Sequence, residues 1–382
     1  MAGAEVIFSL LILLLYVIMI LRFRQGFKKY PEFHRCDGID NTGVSIVVAF
    51  RNESANLVNL LKALTEQNYP ERLYEVIMVD DHSDDGSDVL VRDHCEQHAN
   101  FRYLINGLGL TGKKAAIRTG VFSSKNDLIV TTDADCTMGP EWLKTIAAFY
   151  QSENPDMIIG LVHTDSPSGF LRQFNEAEFS ALIASGAGAA AIGYPIYCNA
   201  ANLAFKKSSY INFRDPIMHS VASGDDTFLL HHLIKSGKKT VLLKSSDALV
   251  NTQLPKNWLS FLQQRIRWAS KSRYYRNIHT ICAALLVFGM NLLIIWSVYL
   301  LFARQYQWLF PVLFAIKFFA DYLLADSYYK FLSKRIMPGW FFLYSIFYPL
   351  FTVIVAFAGF AGNYSWKGRN YRFGSKILIS KF

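Results

Sequence analysis

Two carboxylates one residue apart, Asp133 and Asp135, follow directly after the apolar run Leu128–Thr132. A run of five residues rich in β-branched side chains is typical of a buried strand in a parallel sheet, and the carboxylates then lie just beyond its C-terminal edge. Ligands bind at this edge in open α/β sheets. Carboxylates held so close repel each other unless a cation lies between them, and Mg²⁺ or Mn²⁺ with a diphosphate is the common occupant. The alternative is a plain turn with aspartate as turn former.

A second apolar segment, Val76–Val79, also ends in acid, because Asp80, Asp81, Asp84 and Asp85 follow it closely. The carboxyl ends of parallel strands meet at one edge of a sheet, so the two segments are expected to bring their acidic turns together. Chance placement of both turns is much less expected than that of either one. The pair of turns therefore favours a ligand site over two unrelated turns.

The segments around the two turns alternate between strand and helix patterns. Further strands are predicted at 44–49 and, as an edge strand, at 101–105, and helices from residue 54, over 88–98 and over 113–123. Asn52 or Ser54 is expected to cap the first helix. This alternation predicts an α/β fold with a doubly wound, mostly parallel sheet. A Rossmann dehydrogenase is disfavoured because the first strand leads into Arg-Asn-Glu at 51–53, which is not a glycine-rich turn.

A glycine-rich segment at 107–112 precedes Lys113. Its spacing does not match a Walker phosphate loop, and no serine or threonine follows the lysine, so it is a weak indication of a nucleoside triphosphatase. A lysine at a helix start beside the acidic turns can meet a phosphate or a ribose. A solvated helix N-terminus is an equally weighted alternative.

Two stretches and an acidic pair later in the chain allow more than one interpretation. Ala181–Ile192 either lets two backbones approach closely or forms a mobile loop. Asn199–Phe205 is either a strand with polar side chains facing a cavity or a turn. Asp225 and Asp226 precede a helix, where a carboxylate is usually a cap or a partner of the helix dipole. If that helix end faces the metal site, Asp226 becomes a candidate general base.

Residues 255–277 follow the pattern of an amphipathic helix. Its apolar positions are Trp258, Leu262, Ile266 and Ala269, and polar residues that include Arg265 are interspersed. A basic helix with a tryptophan at its start and a membrane span after it is expected to lie in the headgroup plane.

Gln264, Arg267 and Trp268 stand at positions i, i+3 and i+4 of this segment and therefore share one helix face. Such a face can grip a diphosphate and stack on a sugar. The alternative is that these side chains snorkel at the membrane surface.

The composition indicates a membrane protein. Hydrophobic residues make up 52% of the 382 residues, including 30 Phe and 20 Tyr, which is too apolar for an ordinary soluble protein. Val6–Leu21 is an apolar run with basic residues after it, the reverse of a cleaved signal peptide. It predicts an uncleaved anchor with its N-terminus outside and the following chain in the cytosol. Three more apolar segments are predicted at 278–303, 308–329 and 340–362.

The last of these segments conflicts with the positive-inside rule. A full crossing by 340–362 would place the basic residues of the tail outside. A bend near Pro349 into a re-entrant or interfacial segment would keep the tail in the cytosol, and this is our expectation.

Cysteine usage and net charge bound the setting and the partners. The five cysteines are scattered, with no spacing typical of a zinc site or a disulfide framework, which fits a reducing, cytosolic environment. The formal charge of +9 could indicate a nucleic-acid partner. The basic residues, however, lie next to apolar segments, so attraction to anionic lipid headgroups explains them better and no nucleic acid is expected.

With these motifs in view, the chain resembles the membrane-anchored family 2 glycosyltransferases, which include cellulose and hyaluronan synthases and the ceramide glucosyltransferases. The resemblance runs from about Val44 to Trp268 and implies a GT-A fold. It rests on an Asn-Glu turn, two acidic turns, a Gly-Lys helix start, an Asp-Asp pair and a Gln-x-x-Arg-Trp sequence. Residues 366–372 are similar to the tail of ceramide glucosyltransferases and related bacterial lipid glycosyltransferases.

The resemblance implies a role for each matched residue. Asp135 with Asp133 is implied to hold Mg²⁺ or Mn²⁺, and Asp225 and Asp226 form the catalytic pair with the second residue as base. The residues implied to bind a nucleotide diphosphate sugar, with uridine as the expected base, are Ala49, Arg51, Glu53, Asp80, Asp81, Lys113, Asp133, Gln264, Arg267 and Trp268.

The motifs and the resemblance together predict an inverting, metal-dependent glycosyltransferase that uses a lipid acceptor in the membrane. It is expected to be a multi-pass protein of the cell (inner) membrane with its catalytic domain in the cytosol. A processive polysaccharide synthase is the alternative, although few spans are available to enclose a polymer, and a non-catalytic nucleotide-sugar-binding protein is less expected. The predicted domains are an anchor at 1–24, a GT-A domain at 40–254, an interface helix at 255–277, membrane segments at 278–362 and a basic tail at 363–382.

Overall fold

The computed structural model describes residues 2–35, 41–107, 112–164, 169–213, 224–361, 364–366 and 369–371. The chain forms two compact units. The first, termed the α/β unit, comprises Pro31–Asp165, Tyr197–Gln253 and Ser365–Phe382. The second, termed the helical unit, comprises Met1–Tyr30, Ser166–Ile196 and Leu254–Tyr364.

The described residues contain both helices and strands. The α-helices are α1 (Ala2–Lys29), α2 (Ser54–Thr65), α3 (Ser87–Gln97), α4 (Lys113–Ser123), α5 (Trp142–Glu153), α6 (Phe170–Ala191), α7 (Lys207–Ile211), α8 (Asp225–Lys235), α9 (Trp258–Ser270), α10 (Ile278–Phe302), α11 (Leu309–Phe331) and α12 (Pro338–Ala361). Short 3₁₀ helices form at Glu71–Leu73, Ala200–Asn202 and Ser272–Tyr274. The strands are β1 (Val44–Phe50), β2 (Tyr74–Asp80), β3 (Phe101–Ile105), β4 (Leu128–Asp133), β5 (Cys136–Met138), β6 (Met157–Ile159), β7 (Val162–His163), β8 (Leu203–Lys206), β9 (Thr240–Leu242), β10 (Val250–Thr252), β11 (Tyr364–Trp366) and β12 (Arg369–Tyr371).

The α/β unit is built on a mixed, mostly parallel seven-stranded sheet with the order β3-β2-β1-β4-β8-β6-β9. β1 pairs in parallel with both β2 and β4, and β8 runs antiparallel between β4 and β6. The predicted strands at the acidic turns are therefore confirmed, and their carboxyl ends meet at one edge. A smaller sheet with the order β5-β10-β7 also belongs to the unit, and β11 pairs with β12 in a two-stranded sheet.

The centre of this sheet is fully buried, as its continuous β-branched runs predict. Val44, Ile46, Val47 and Val48 of β1 have no exposed surface, and burial of such side chains contributes about 1.5–3 kcal/mol each. Gly120 of α4 lies directly on the sheet, because a Cβ atom there would come within 2.3 Å of Val47 Cγ1. The sheet and the glycine together fix the height of α4 above β1.

The helical unit contains the segments of membrane-spanning character. Among the described residues, three helices are long and apolar enough to cross a membrane, Ala4–Lys29 of α1, α10 and α12. The segment predicted at 308–329 forms α11 but is not one of the three. The buried Lys317 forms an ion pair of 2.6 Å with the partly buried Asp321, and Tyr16 of α1 donates to the same carboxylate at 2.7 Å.

Small residues let two helices of this unit approach closely. A Cβ atom at Gly188 of α6 would come within 2.4 Å of the carbonyl oxygen of Phe23 in α1, and one at Gly26 would meet Ile192. The small-residue run at 181–192 is therefore a helical contact surface, which excludes the mobile-loop alternative.

One local expectation from the sequence was wrong, because the N-cap residue of α2 is Glu53 instead of Asn52 or Ser54. α12 continues through Pro349 as one helix. In α9, Arg265 and Phe261 are buried while Trp258 is 46% exposed, so the apolar positions named from the sequence are not the face that packs inside the protein. A hydrophobicity pattern does not predict the burial of an arginine, because that burial depends on a specific anionic partner.

Candidate active site

The end of β4 and the start of α4 meet through an ion pair. Lys113 Nζ pairs with Asp133 Oδ1, and both side chains are partly exposed. Asp133 is the last residue of β4, and Lys113 is the first residue of α4. The Gly-Lys helix start and the Asp-x-Asp turn, which are separate in the sequence, therefore form one electrostatic cluster.

Asp135 carries the strongest sign of accumulated negative charge in this cluster. Burial, the neighbouring Asp133 carboxylate and Glu53 raise the pKa of Asp135 to about 6, while Lys113 acts in the opposite direction. Like charges in a half-buried position favour the protonated acid. A divalent cation would relieve this repulsion, so the donor set fits Mg²⁺ or Mn²⁺.

The protein supplies few ligands for such a cation. Over the part of the chain that the structure describes, no group of three His, Cys, Asp or Glu side chains is arranged to hold a metal ion. Asp133 and Asp135 would supply two carboxylates, and Mg²⁺ is commonly bound by one or two carboxylates together with substrate phosphates. The arrangement thus suits a cation that arrives with a phosphorylated substrate.

Asp226 is held at the start of α8 by backbone amides. Gly224 precedes the helix with a φ of 90°, a conformation that glycine adopts without strain. Asp226 Oδ1 accepts from the Thr227 amide at 2.6 Å, and Oδ2 accepts from the Ala200 amide at 3.3 Å. The Ala200 carbonyl in turn accepts from Thr131 Oγ1 at 2.8 Å, so the 3₁₀ turn links Asp226 to β4.

One cleft brings three predicted site residues together. Lys113, Asp133 and Asp226 line it along with Thr131 and the backbone turn at Ala200. Its other walls are apolar and come from Ile117, Leu203, Phe205, Tyr210 and Leu229. The carboxylate at the end of β4, a lysine and a second carboxylate on a separate helix therefore face the same space.

The two adjacent acids of the second turn hold different parts of the backbone. Asp80 Oδ1 accepts from the amide and hydroxyl of Ser83, and Oδ2 accepts from Tyr103 at 3.1 Å. Asp81 is 2% exposed, and its Oδ1 accepts from Asn106 Nδ2 at 3.0 Å. The Gly112 amide donates to both oxygens of Asp81, to Oδ1 at 2.9 Å and to Oδ2 at 3.0 Å. Gly112 has a φ of 97° immediately before Lys113. Asp81 thus fixes the backbone from which the lysine projects.

The remaining acids of this turn pin the loop that follows β1. Asp84 accepts from Asn52 Nδ2 at 2.7 Å, and Asp85 accepts from the Ser54 amide at 3.0 Å. Burial raises the pKa of Asp85, but hydrogen bonds from Ser87 and Ser54 outweigh it and lower the pKa to about 2. Asn52 adopts a φ of 52° in this tight loop.

The residues predicted at the first strand lie beside the cluster. Ala49 pairs with Asp133 across β1 and β4. Arg51 Nη1 donates to the Asp81 carbonyl at 2.7 Å, and Glu53 accepts from Asn56 at 2.6 Å. Glu53 also acts on the pKa of Asp135, an electrostatic role that the sequence pattern did not indicate.

The other predicted site residues lie on α8 and α9 and in the tail. Gln264, Arg267 and Trp268 all lie on α9 in the helical unit, as the i, i+3, i+4 spacing predicts. The backbone of Asp225 begins α8, and its side chain lies outside the described residues. Of the tail at 366–372, only the strand bounds are described.

Sequence reasoning missed two supporting residues. Thr131 and Asn202 sit where the pattern shows only a buried strand and a polar turn, yet Thr131 holds the Ala200 carbonyl. Asn202 accepts from Trp142 at 3.1 Å and donates to Leu161 and Ala248 at 2.8 Å, so it is a structural residue of the turn. Its partners are distant in sequence, which leaves no local signal.

A comparison with protein families matches the central part of the chain. Residues 45–211 match the model of glycosyl transferase family 2. These residues form a family 2 glycosyltransferase domain. The matched range contains the Asp133 and Asp135 pair and Lys113, and it ends before Asp226.

Curated relatives carry related names. Glycosyltransferase AglE of Haloferax volcanii is 31% identical over 126 residues, which cover 33% of this chain and 41% of the relative. Beta-monoglucosyldiacylglycerol synthase of Nostoc sp. is 29% identical over 111 residues, which cover 29% of this chain and 24% of the relative. The chain therefore spans well under half the length of either relative.

Among solved structures, the mannosyltransferase PcManGT from Pyrobaculum calidifontis, in complex with GDP-Man and Mn²⁺, is similar over 94% of this chain and 96% of its own. The TM-score is 0.57 and the sequence identity is 17%. At this identity the likeness shows the fold, which is the GT-A type that the sequence resemblance implied.

Proposed function

We propose that this protein is a membrane-anchored, inverting, metal-dependent glycosyltransferase that moves a sugar from a nucleotide diphosphate to a hydroxyl of a membrane lipid. The observation that carries the proposal is the cleft shared by Lys113, Asp133 and Asp226, because most of its lining lies within the residues that match the family 2 model. A transferase needs positive charge or metal near the leaving diphosphate and a base near the acceptor oxygen, and these residues supply both.

In this mechanism the chain's own residues bind the donor and move one proton. A divalent cation at Asp135 and Asp133 would neutralise the diphosphate of the donor and make it a better leaving group. Lys113 adds a second positive charge on the same side. Asp226 accepts the proton of the acceptor hydroxyl while that oxygen attacks the anomeric carbon opposite the diphosphate, which inverts the configuration.

Gln264, Arg267 and Trp268 are proposed to hold the diphosphate and to support the sugar or the acceptor. Arginine and glutamine side chains supply the N–H donors that phosphate oxygens accept, and an indole ring offers a flat apolar surface. These assignments rest on the Gln-x-x-Arg-Trp resemblance and on the shared face of α9.

A lipid acceptor is supported by two independent features. The helical unit contains three helices of membrane-spanning length and composition among the described residues. A relative bears a name that refers to glucosylated diacylglycerol. Basic residues after the apolar part of α1 favour a cytosolic catalytic domain at the cell (inner) membrane.

We propose that the nucleotide of the donor is UDP, and GDP is the alternative. The acidic turn after β2 supports UDP through its resemblance to the uridine-binding turn of the family. PcManGT, which has a similar fold, was solved in complex with GDP-Man, so both nucleotides need to be tested.

The experiment uses the full-length protein in lipid nanodiscs with Mn²⁺ and either UDP-glucose, UDP-N-acetylglucosamine or GDP-mannose. Mass spectrometry of the lipid fraction is expected to show one added hexose or N-acetylhexosamine with one donor. A long polymer would support the processive synthase instead. Donor binding without turnover on any lipid extract would contradict the transferase function.

A further inference from the structure

Arg265 lies inside the Gln-Gln-Arg-Ile-Arg-Trp sequence of α9, yet its side chain is 4% exposed. Its Nε and Nη2 atoms donate to Glu178 Oε2 of α6 at 2.9 and 2.5 Å. Nη2 also donates to Asn175 Oδ1 at 3.0 Å. Glu178 is itself 10% exposed, so this is a buried and multiply hydrogen-bonded ion pair within the helical unit.

The same guanidinium contacts two of the three residues that we propose to meet the donor. Its Nη1 donates to Gln264 Oε1. Its Cζ atom lies 4.2 Å from the ring centroid of Trp268, over the face of the indole. Because the amide oxygen of Gln264 is engaged, the amide nitrogen is the end that can donate to a phosphate oxygen.

The ring of Phe261 also contacts Arg265. Its Cζ atom lies 4.7 Å from the ring centroid of Phe261, which is fully buried. Phe261 stacks on Phe351 of α12 with ring centroids 5.0 Å apart and an interplanar angle of 1°. The guanidinium group therefore contacts both the Phe261 and the Trp268 ring, and its hydrogen bonds to Glu178 restrict its rotation.

On the basis of the transferase function proposed above, we propose that Arg265 and Glu178 are positioning residues that set the amide of Gln264 and the indole of Trp268 for the nucleotide diphosphate. A buried ion pair is a poor source of net stability, since apolar replacement of both partners is often neutral. A planar group that binds Gln264 and stacks on Trp268 has, in contrast, no apolar substitute. The pair thus contributes geometry more than stability.

The test replaces both partners at once, as Arg265→Met with Glu178→Met, in the full-length protein. The matched control is Lys317→Met with Asp321→Leu, which removes another ion pair of the helical unit, one with a buried lysine. Among the described residues, neither Lys317 nor Asp321 forms a hydrogen bond or ring contact with Gln264 or Trp268. Each variant is assayed for melting temperature, for binding of UDP and GDP with Mn²⁺, and for kcat with the donor that the wild type uses.

We expect the Arg265/Glu178 double variant to melt near the wild-type temperature, to bind the nucleotide about 10-fold more weakly and to lose about 10- to 100-fold in kcat. The control double variant is expected to keep wild-type nucleotide binding. If the Arg265/Glu178 variant does not fold, Arg265→Lys decides, because lysine keeps the charge but lacks the planar fork. For Arg265→Lys we expect a lower kcat together with an unchanged melting temperature.

Wild-type nucleotide binding and kcat in a folded Arg265/Glu178 variant would show that the pair is merely structural. Binding serves as the readout even if the wild type transfers no sugar. Failure of the wild type to bind either nucleotide would overturn the transferase function and this proposal together, whereas unchanged binding in the variant overturns this proposal alone.

Discussion

Lys113 and Asp133 form an ion pair that ties the first residue of α4 to the last residue of β4. The pair places a positive charge beside Asp133, the carboxylate that also acts on the pKa of Asp135. Burial, Asp133 and Glu53 raise the pKa of Asp135, and Lys113 lowers it. The lysine is thus the group expected to exchange its partner when a diphosphate and a cation enter.

Replacement of Lys113 by methionine is expected to weaken nucleotide diphosphate binding by about 10- to 100-fold, the range for loss of a hydrogen bond to a charged group. Calorimetric titration with UDP and GDP in the presence of Mn²⁺ measures the change. Lys114→Met is the matched control, because Lys114 lies over the Phe228 ring at 5.1 Å instead of pairing with Asp133. Equal losses in the two variants would contradict a donor contact by Lys113.

The pKa of Asp135, about 6, predicts a pH dependence of cation binding. In the folded protein without a cation, this raised pKa favours the proton, so protonation of Asp135 stabilises the fold as the pH falls towards the unfolded-state pKa. A cation requires the ionised form. The rise in melting temperature on addition of Mn²⁺ and UDP is therefore expected at pH 7.5 and lost as the pH falls through about 6.

Asp135→Asn provides the control for this dependence, and it is expected to abolish the Mn²⁺ effect at both pH values. An Mn²⁺ effect of the same size at pH 7.5 and pH 5 would contradict the assignment of Asp135 as a cation ligand.

Gly120→Ala is expected to destabilise the α/β unit by about 1–3 kcal/mol, the usual cost of overpacking. The added methyl group would lie 2.3 Å from Val47 Cγ1 and push α4 away from the sheet. Since Lys113 begins the same helix, donor affinity should fall as well. The free energy of unfolding of the variant is measured by chemical denaturation. Gly139→Ala is the control, because a Cβ atom at this position meets no atom within 4 Å. Equal stabilities for the two variants would contradict the close packing of α4.

An aromatic cluster at the start of three helices in the helical unit is predicted to lie in the headgroup plane. Phe170 of α6 contacts Trp258 of α9 and Trp340 of α12, with ring centroids 5.9 and 6.0 Å away. Tryptophan favours the membrane interface. Lipids brominated near the headgroup should quench less emission in Trp258→Phe/Trp340→Phe than in the wild type. The buried Trp142 supplies the control as Trp142→Phe, and equal quenching in all three proteins would rule out the interface position.

The α/β unit was predictable because its signals are local. Each β-branched run, in β1, β2 and β4, and the glycine-lysine start of α4 is a short continuous stretch of sequence, and the structure confirms each element within one or two residues. The edge at which the acidic turns meet follows from parallel pairing alone. No comparable signal places Asp226, whose position depends on the turn at Ala200 and on Thr131.

The roles of individual acids were harder to predict. Asp80 and Asp81 are equivalent in a sequence pattern, but one closes a turn with Ser83 and the other holds Gly112. The sequence pattern shows Arg265 only as one of several interspersed polar residues, because its partner, Glu178, is 87 residues away. Asn175 and Glu178 are spaced i, i+3 and therefore share one face of α6, but Arg172, Gln173 and Glu176 lie beside them, so this spacing alone does not single out the pair.

The most direct test of the transferase function is the rate of sugar transfer to lipid by Asp226→Asn, measured together with nucleotide binding. The exposed Asp247 supplies the control variant Asp247→Asn. Loss of the base is expected to lower kcat by about 10²- to 10⁴-fold, while UDP or GDP binding with Mn²⁺ stays unchanged and Asp247→Asn behaves as wild type. Wild-type turnover by Asp226→Asn would contradict the assignment of this carboxylate as the base and with it the mechanism built on the cleft.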